Sequence, residues 1–330
     1  MRNYVLGRVA MLIPTLLVAS VLTFIMLRIA PGDAAVAKAG LAATDENVAE
    51  IRAELGLDRP YFPIYFNRQT PFAHLTTDDQ FTDWLADIVR FDLGRSSTYN
   101  APVRDEIADR IPVTFELVLL STLLTMAIGV PAGILSAVRQ NTPIDALIRT
   151  VSVFGISIPG FFLGTLFLLA GAIWWQWAPP VRYVHIWDDP RTNLTMFMLP
   201  SIAMAAAYVA TVMRLTRSAT LDVLRNDYVR TAWAKGLRER QVMLRHAIKN
   251  AMIPIVTFLG LQVITMITGA VIIEQVFNLN GIGRLLFTSV FARDYALAQG
   301  LVLFFAVLVL LTNLAADLLY GWIDPRVRYA

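Results

Sequence analysis

Cysteine is absent from the 330 residues, and that one fact removes three kinds of chemistry. There is no disulfide framework, no thiolate zinc site and no cysteine nucleophile. Histidine is scarce as well: His74, His185 and His246 are scattered over both faces of the topology derived below, which argues against metal ligation. No Gly-x-x-x-x-Gly-Lys-Ser/Thr occurs, so the chain cannot cradle ATP with a P-loop. Gly155-Ile156-Ser157-Ile158-Pro159 misses the nucleophile elbow by its final residue, Pro in place of Gly. A Ser in so apolar a run more often hydrogen-bonds a neighbouring helix, so a hydrolase is excluded. Gly281-x-Gly283 follows no strand and carries no dinucleotide reading. Charge is also thin: 16% of residues are ionisable, against about 25% in soluble domains. With 56% of residues hydrophobic, the chain is expected to be an all-α integral membrane protein embedded in the lipid bilayer. Lys and Arg gather in the inward loops, with no companion binding module, so nucleic acid is not an expected partner.

What is present reads as six spans. Arg2 and Arg8 flank an apolar run from Val9 to Leu27, longer than a signal-peptide core and read as the first transmembrane helix. Further spans cover about Pro112 to Val138, Val151 to Trp174, Met196 to Met213, Ile253 to Ile273 and Leu301 to Tyr320. Each is close to the roughly 20 residues that a bilayer core demands. Trp174, Trp175 and Trp177 form an aromatic belt at the end of the third, and Phe277 to Arg293 reads as an outer re-entrant or loop segment. Pro31 to Arg110 holds fourteen Asp/Glu and eight Lys/Arg, whereas Arg214 to Lys249 holds three and nine. The contrast puts the first region outside, the second inside, and both termini in the cytoplasm. The division is therefore a first helix over 1–30, an external cap over 31–111 and a membrane core over 112–330 with its inner loop at about 214–250. Ala49 to Leu57 and Phe81 to Val89 are the expected cap helices.

The inner loop carries the strongest pattern. Tyr228-Val229-Arg230-Thr231-Ala232-Trp233-Ala234-Lys235-Gly236-Leu237 is a helix-prone segment broken once, at Gly236, the residue that leaves helical φ/ψ without a Cβ clash. Val229, Ala232, Trp233 and Leu237 recur at helical spacing and make an apolar stripe fit for a partner's groove. Leu244-Arg245-His246-Ala247, Asn250-Ala251 and Ile253-Pro254 follow, with an apolar span beginning at Pro254.

This stretch resembles the cytoplasmic signature loop of ATP-binding-cassette (ABC) importer permeases, in the version of the dipeptide/oligopeptide branch. Arg230-Thr231-Ala232 stands where the generic motif has Glu-Ala-Ala, and Arg238 stands where that branch often has a Ser able to cap the second helix. Ala30-Pro31-Gly32-Asp33, Leu55-Gly56-Leu57-Asp58, Asp92-Leu93-Gly94-Arg95-Ser96, Ser157-Ile158-Pro159, Gly281-Ile282-Gly283-Arg284, Arg293-Asp294-Tyr295 and Asp324-Pro325-Arg326-Val327-Arg328 extend the resemblance over nearly the whole chain. Between Pro60 and Trp84 the chain is longer than the family usually is. The resemblance implies a type I importer permease fold and one half of a pathway for peptides, oligosaccharides, nickel chelates or opines. It implies a second related permease, two ABC ATPase subunits holding ATP and Mg, and an extracytoplasmic solute-binding protein, with no cofactor or catalysis in this chain. Residues 228–237 would then plug into the ATPase. An ion-coupled secondary transporter would want an inverted repeat and mid-span carboxylates, and neither is visible.

Glu116, Glu274 and Asp317 lie near span ends, where snorkelling, an interfacial Arg or a solute contact accounts for them equally well. Asn313 and Asp317, at i and i+4, suit a lock between helices. Gln262, with Gly260 and Gly269, marks either helix packing or the solute pathway. In the cap, Thr77-Asp78-Asp79-Gln80 has the form of a capping box, and Phe81, Trp84, Leu85 and Ile88 recur as a buried face. Asp79, Asp83 and Asp87 line another side, either as a solvated acidic face or as a docking face for the binding protein.

Overall fold

The structure is a computed structural model and describes residues 2–29, 34–40, 43–54, 56–66, 73–76, 78–180 and 182–323. In chain order the elements are α1 (Arg2–Ile29), α2 (Ala34–Ala39), α3 (Asp45–Glu54), β1 (Ile64–Phe66), β2 (Ala73–Leu75), α4 (Gln80–Val89), α5 (Val103–Ala108) and α6 (Ile111–Val138). There follow α7 (Pro143–Ser157), α8 (Gly160–Trp175), α9 (Pro190–Leu224), α10 (Asp227–Ala234), α11 (Glu239–Gln241), a π-helical stretch (Val242–Ile248), α12 (Lys249–Phe277), α13 (Ile282–Phe291) and α14 (Tyr295–Ile323). Ala30-Pro31-Gly32-Asp33, Leu55, Thr77 and the Asp324–Arg328 tail lie outside the described residues, as does the side chain of Asp317.

Four of the described helical stretches are long and apolar enough to cross a bilayer: Val103–Val138, Pro190–Leu224, Glu239–Phe277 and Tyr295–Ala316. The pair α7 and α8 makes a fifth if counted as one span, so four or five of the six expected spans stand among the described residues; within α1 the apolar stretch is the shorter Ala10–Met26. The third span is therefore not the straight helix expected over Val151 to Trp174, for α7 and α8 meet at 96°. Pro159 is the cause: it brings no N–H and drives Ile158 into extended backbone (φ −96°, ψ 122°), so one helix ends and a second begins at Gly160. Between the expected spans Pro112–Val138 and Val151–Trp174, the charge-bearing stretch from Arg139 to Arg149 is no mere loop but largely the start of α7, because Thr142 caps it and Pro143 takes the first helical position. Nor does Pro254 open the fifth span. The chain is helical from Glu239 through to Phe277, with Pro254 inside. Phe277 to Arg293, expected as re-entrant or loop, is mostly the short apolar α13.

Contacts divide the chain into two units. One comprises residues 6–111 and 285–310. It contains β1 and β2, an antiparallel pair in register Ile64↔Leu75, so the otherwise all-helical fold carries a small hairpin inside the lengthened Pro60–Trp84 segment. The expected face of α4 packs inward. The Phe24 ring meets Phe62 at 5.5 Å, Phe81 at 5.2 Å and Trp84 at 5.7 Å. Such an aromatic cluster contributes about 0.5–1.5 kcal/mol per pair beyond its area. Gln80 is buried between the Leu57 and Arg59 carbonyls, to which it donates, and the Arg28 guanidinium, from which it accepts at 2.8 Å. Two sequence landmarks also meet here: the buried Asp294 carboxylate accepts from Ser96 Oγ at 2.5 Å and from the Thr98 N–H at 2.9 Å.

The other unit comprises residues 1–5, 112–284 and 311–330, and α9 is its centre, packed against α7, α8 and α12. Asp189 caps α9, and hydrogen bonds from Thr192 hold its carboxyl below the usual carboxylate range. Helices α6 and α9 cross closely. A Cβ at Gly133 would lie 2.5 Å from Thr216 Cβ and 2.6 Å from the Met213 carbonyl, so only Gly fits. Val212, Ala251, Ile255 and Leu259 form the core between α9 and α12.

Candidate coupling site

The segment around Gly236 folds as two helices meeting at a left-handed hinge. Asn226 and Asp227 open α10, with Asp227 in the first turn where the helix dipole favours an acid. The helix stops at Lys235, and Gly236 takes φ +77°. Among the described residues, nothing but its own chain neighbours lies within 4 Å of where its Cβ would be, so the space beyond Gly236 is open. Arg238 then begins α11 without a side-chain cap, the cost its sequence implied. The π-helical turns at Val242–Ile248, which no sequence signal announced, join α11 to α12; such widened turns recur at functional positions in helices.

The apolar stripe of α10 divides in two. Val229 and Ala232 are buried in a cluster with Val242, against Val223 and Leu224, and anchor α10 to the end of α9. Trp233 is 42% exposed, and Tyr228 and Leu237 are exposed to a similar degree. The stripe read as a single partner face is thus an anchor on one side and a free aromatic face on the other. The Tyr228 hydroxyl accepts from Asn250 Nδ2 at 3.0 Å, which ties α10 to α12. Arg230, Thr231, Ala234 and Lys235 are exposed around this face. The ion pair of Arg230 with Asp227, at 3.7 Å and fully in solvent, adds little.

At Arg217, further back along α9, lies a buried polar clamp that the sequence reading did not single out. Asp145 is fully buried and accepts from Ser136 Oγ at 2.6 Å, from the Asn141 N–H at 3.0 Å and from Arg217 at 2.8 and 3.0 Å. One carboxylate thereby fastens α6, α7 and α9. The available signal was a single acid among the arginines of 139–149.

The other candidates fall elsewhere. Gln262 is buried and bonds Thr265 one turn on, at 3.1 Å; Gly260 seats Ala316, and Gly269 seats the Tyr208 hydroxyl. All three are at helix contacts, and the structure does not gather them into one site. Glu274 neither snorkels nor pairs at a surface. It is wholly buried, accepting from Thr114 Oγ1 at 2.5 Å and from the Arg284 N–H at 2.9 Å, while Thr114 accepts from the Ile282 N–H. These bonds satisfy free amides at the start of α13, and the Glu274 carboxylate explains why Gly281 must be small; a Cβ at Gly283 would instead lie 2.5 Å from Val271 Cα. Glu116 accepts from the Tyr183 hydroxyl at 2.9 Å; burial first, and then that carboxylate, push the Tyr183 phenol above its ordinary range. The lock between Asn313 and Asp317 involves a side chain outside the described residues.

The acidic face of α4 needs correction. Asp79 is buried: it is the N-cap of α4, accepting from the Thr82 N–H at 2.9 Å and from its hydroxyl. Capping falls to Asp79, because an Asp one residue before the helix already reaches the free amides; Thr77, the first residue of the expected box, lies outside the described residues. Asp83 is paired with Arg59, which also binds Asp78 and whose guanidinium those two hydrogen bonds hold above its ordinary range. Among the three, only Asp87 is left facing solvent without a described partner.

Residues 129–329 match the family described as binding-protein-dependent transport system inner membrane component, and residues 1–118 match its N-terminal domain. A protein of Brucella abortus (strain 2308), whose name describes a peptide transport system permease, is 37% identical over 329 residues, 100% of each chain. The glutathione transport system permease protein GsiC of Escherichia coli (strain K12) is 39% identical over 329 residues, again 100% of each. In fold, the chain is similar to the inward-facing MetNI methionine ABC transporter, with TM-score 0.55 and 15% identity over 66% of this chain and 96% of that one. An amino acid ABC transporter crystallised with histidines gives 0.51 and 17%, over 72% and 98%.

Proposed function

The chain belongs to the family of inner membrane components of binding-protein-dependent transport systems, and we propose that in its ABC importer it passes peptides or a similar small solute delivered by a binding protein. Relatives of full length named for peptide and glutathione transport support a solute of peptide class. The chain supplies half of the pathway and a second, related permease the other half. Two ATPase subunits hold ATP and Mg, and this chain contributes no catalysis. Residues 31–111 form the cap on the binding-protein side, 112–330 the membrane core, and both termini are cytoplasmic. Of the acidic face, Asp87 is what remains to meet the binding protein.

The observation that carries the coupling role is the aromatic face of α10, exposed yet rigidly anchored by Val229 and Ala232 beside an open Gly236. When the ATPases close on ATP, α10 is displaced, and the anchor passes that displacement to α9, the helix on which the core is built. Reconstituting the purified chain with its partners tests this: Trp233→Glu should abolish binding-protein-stimulated ATP hydrolysis while the chain keeps its melting temperature. Hydrolysis at the wild-type rate in that variant would remove the coupling role from α10.

A further inference from the structure

Helices α7 and α9 leave a cleft of about 360 Å³ between them, apart from the aromatic face of α10. Its lining is two-sided. Arg149, Arg214 and Arg217 bring three guanidiniums to it, while Val153, Ile156 and Met213 supply apolar wall. Among the described residues, the only carboxylate bonded to these arginines is Asp145, which takes Arg217 in a bidentate pair and lies 3.5 Å from Arg149. No described carboxylate pairs with Arg214, so three cations face one anion and the cluster holds two positive charges in excess. Arg214 and Arg217 stand just where the apolar run of α9 ends at Met213, the level at which a helix leaves the hydrocarbon. Val153 is 64% exposed and Ile156 44%, so apolar surface continues from the basic end along the bent span.

We propose that this cleft is a binding site for an anionic phospholipid, whose phosphate sits between Arg149 and Arg214 and whose acyl chain lies along Val153 and Ile156. Guanidinium forks match phosphate oxygens, and their excess charge in a membrane interface attracts an acidic headgroup. The wall is what selects a lipid over a free anion, since phosphate alone gains nothing from apolar contact. A lipid held here joins α7 to α9 beside the Asp145 clamp, and so stiffens the helix that carries α10. The proposal needs only that the chain is an inner membrane component, and its failure would leave the coupling role untouched.

The test is native mass spectrometry of the full chain in detergent, titrated with phosphatidylglycerol or phosphatidylcholine of matched acyl chains. Wild type should retain one phosphatidylglycerol and hold phosphatidylcholine at least about tenfold more weakly, the worth of one charge-assisted contact. Replacing Arg149→Gln together with Arg214→Gln should erase the preference, while Arg149→Lys with Arg214→Lys should keep most of it. Arg217 is left in place because it holds Asp145. If the glutamine pair lowers the melting temperature, Val153→Ser with Ile156→Ser takes its place, leaves every guanidinium and must weaken phosphatidylglycerol by a similar factor. Excess inorganic phosphate should not displace the lipid. Equal retention of the two lipids, an unaltered preference in the glutamine pair, or displacement by inorganic phosphate would each overturn the assignment.

Discussion

α10 and α4 are short amphipathic helices of eight and ten residues, and they spend their side chains in opposite ways. On α4 the aromatic face closes around Phe24, Asp79 is consumed by the cap and Asp83 by Arg59, so that only Asp87 is left over. On α10 the small members Val229 and Ala232 are consumed, and the large ones, Tyr228, Trp233 and Leu237, are left over. An aromatic group held rigid and kept out of its own core is the kind that dominates a protein interface. A charge that already has a partner contributes little to long-range attraction. The two helices therefore differ in what they offer another molecule, although both show the same amphipathic periodicity.

The comparison breaks most visibly at Gly236. If α10 docks as proposed, Gly236→Arg should abolish uptake while the chain still enters the membrane, because the side chain has open space among the described residues and its obstacle is then the ATPase. The left-handed conformation costs a non-glycine residue about 1–2 kcal/mol, too little to unfold the protein. Uptake assayed against the amount of inserted chain separates the two effects, and normal uptake would contradict the docking role.

Trp233→Ala should come next in size. Truncating a central aromatic anchor costs at least about 2 kcal/mol, roughly a thirtyfold loss of affinity for the ATPase. Folding stability should stay within about 0.5 kcal/mol, as for surface positions generally. Co-purification titration and a melting curve on one preparation check both.

Gly133→Val sharpens the contrast from the other side. Here the new Cβ meets Thr216 and the Met213 backbone, and overpacking of that kind costs about 1–3 kcal/mol. The melting temperature should fall, yet the fraction that folds should couple normally. A variant that melts as wild type but fails to couple would show that the α6 and α9 crossing is part of the drive.

The smallest effect belongs to α4. Asp79→Ala should cost about 1 kcal/mol through loss of the cap, whereas Asp87→Lys should leave stability unchanged within about 0.5 kcal/mol. The same Asp87→Lys change should weaken binding-protein stimulation of ATP hydrolysis at low salt and much less at high salt, since salt screens exposed charges over about 8–10 Å. Equal stimulation across the salt range would leave Asp87 a solvated residue.

Much of this was legible in the sequence, and the exceptions share a physical cause. The apolar runs announced the spans, the glycine break announced the hinge, and the positions Phe81, Trp84, Leu85 and Ile88 announced the inward face of α4. These are features of local period and composition. What stayed hidden depends on residues remote in the chain. Asp79 looked free because its role as cap competes with Thr77, and Asp83 because Arg59 is 24 residues away. The buried state of Asp145 rests on Arg217, 72 residues on, and that of Glu274 on Thr114, 160 residues before it. The bend between α7 and α8 was visible as Ile158-Pro159, yet in an unbroken apolar run the length of the span outweighed the proline. The π-helical turns left no mark in residue type.

The central claim is that the exposed face of α10 meets the ATPase, and a photo-activated cross-linker placed at position 233 tests it most directly. In the assembled transporter without nucleotide, the adduct should form between this chain and the ATPase subunit, and the same probe at position 229, buried in the anchor, should give none. Adducts from position 233 to lipid alone, or an equal yield from both positions, would contradict the account.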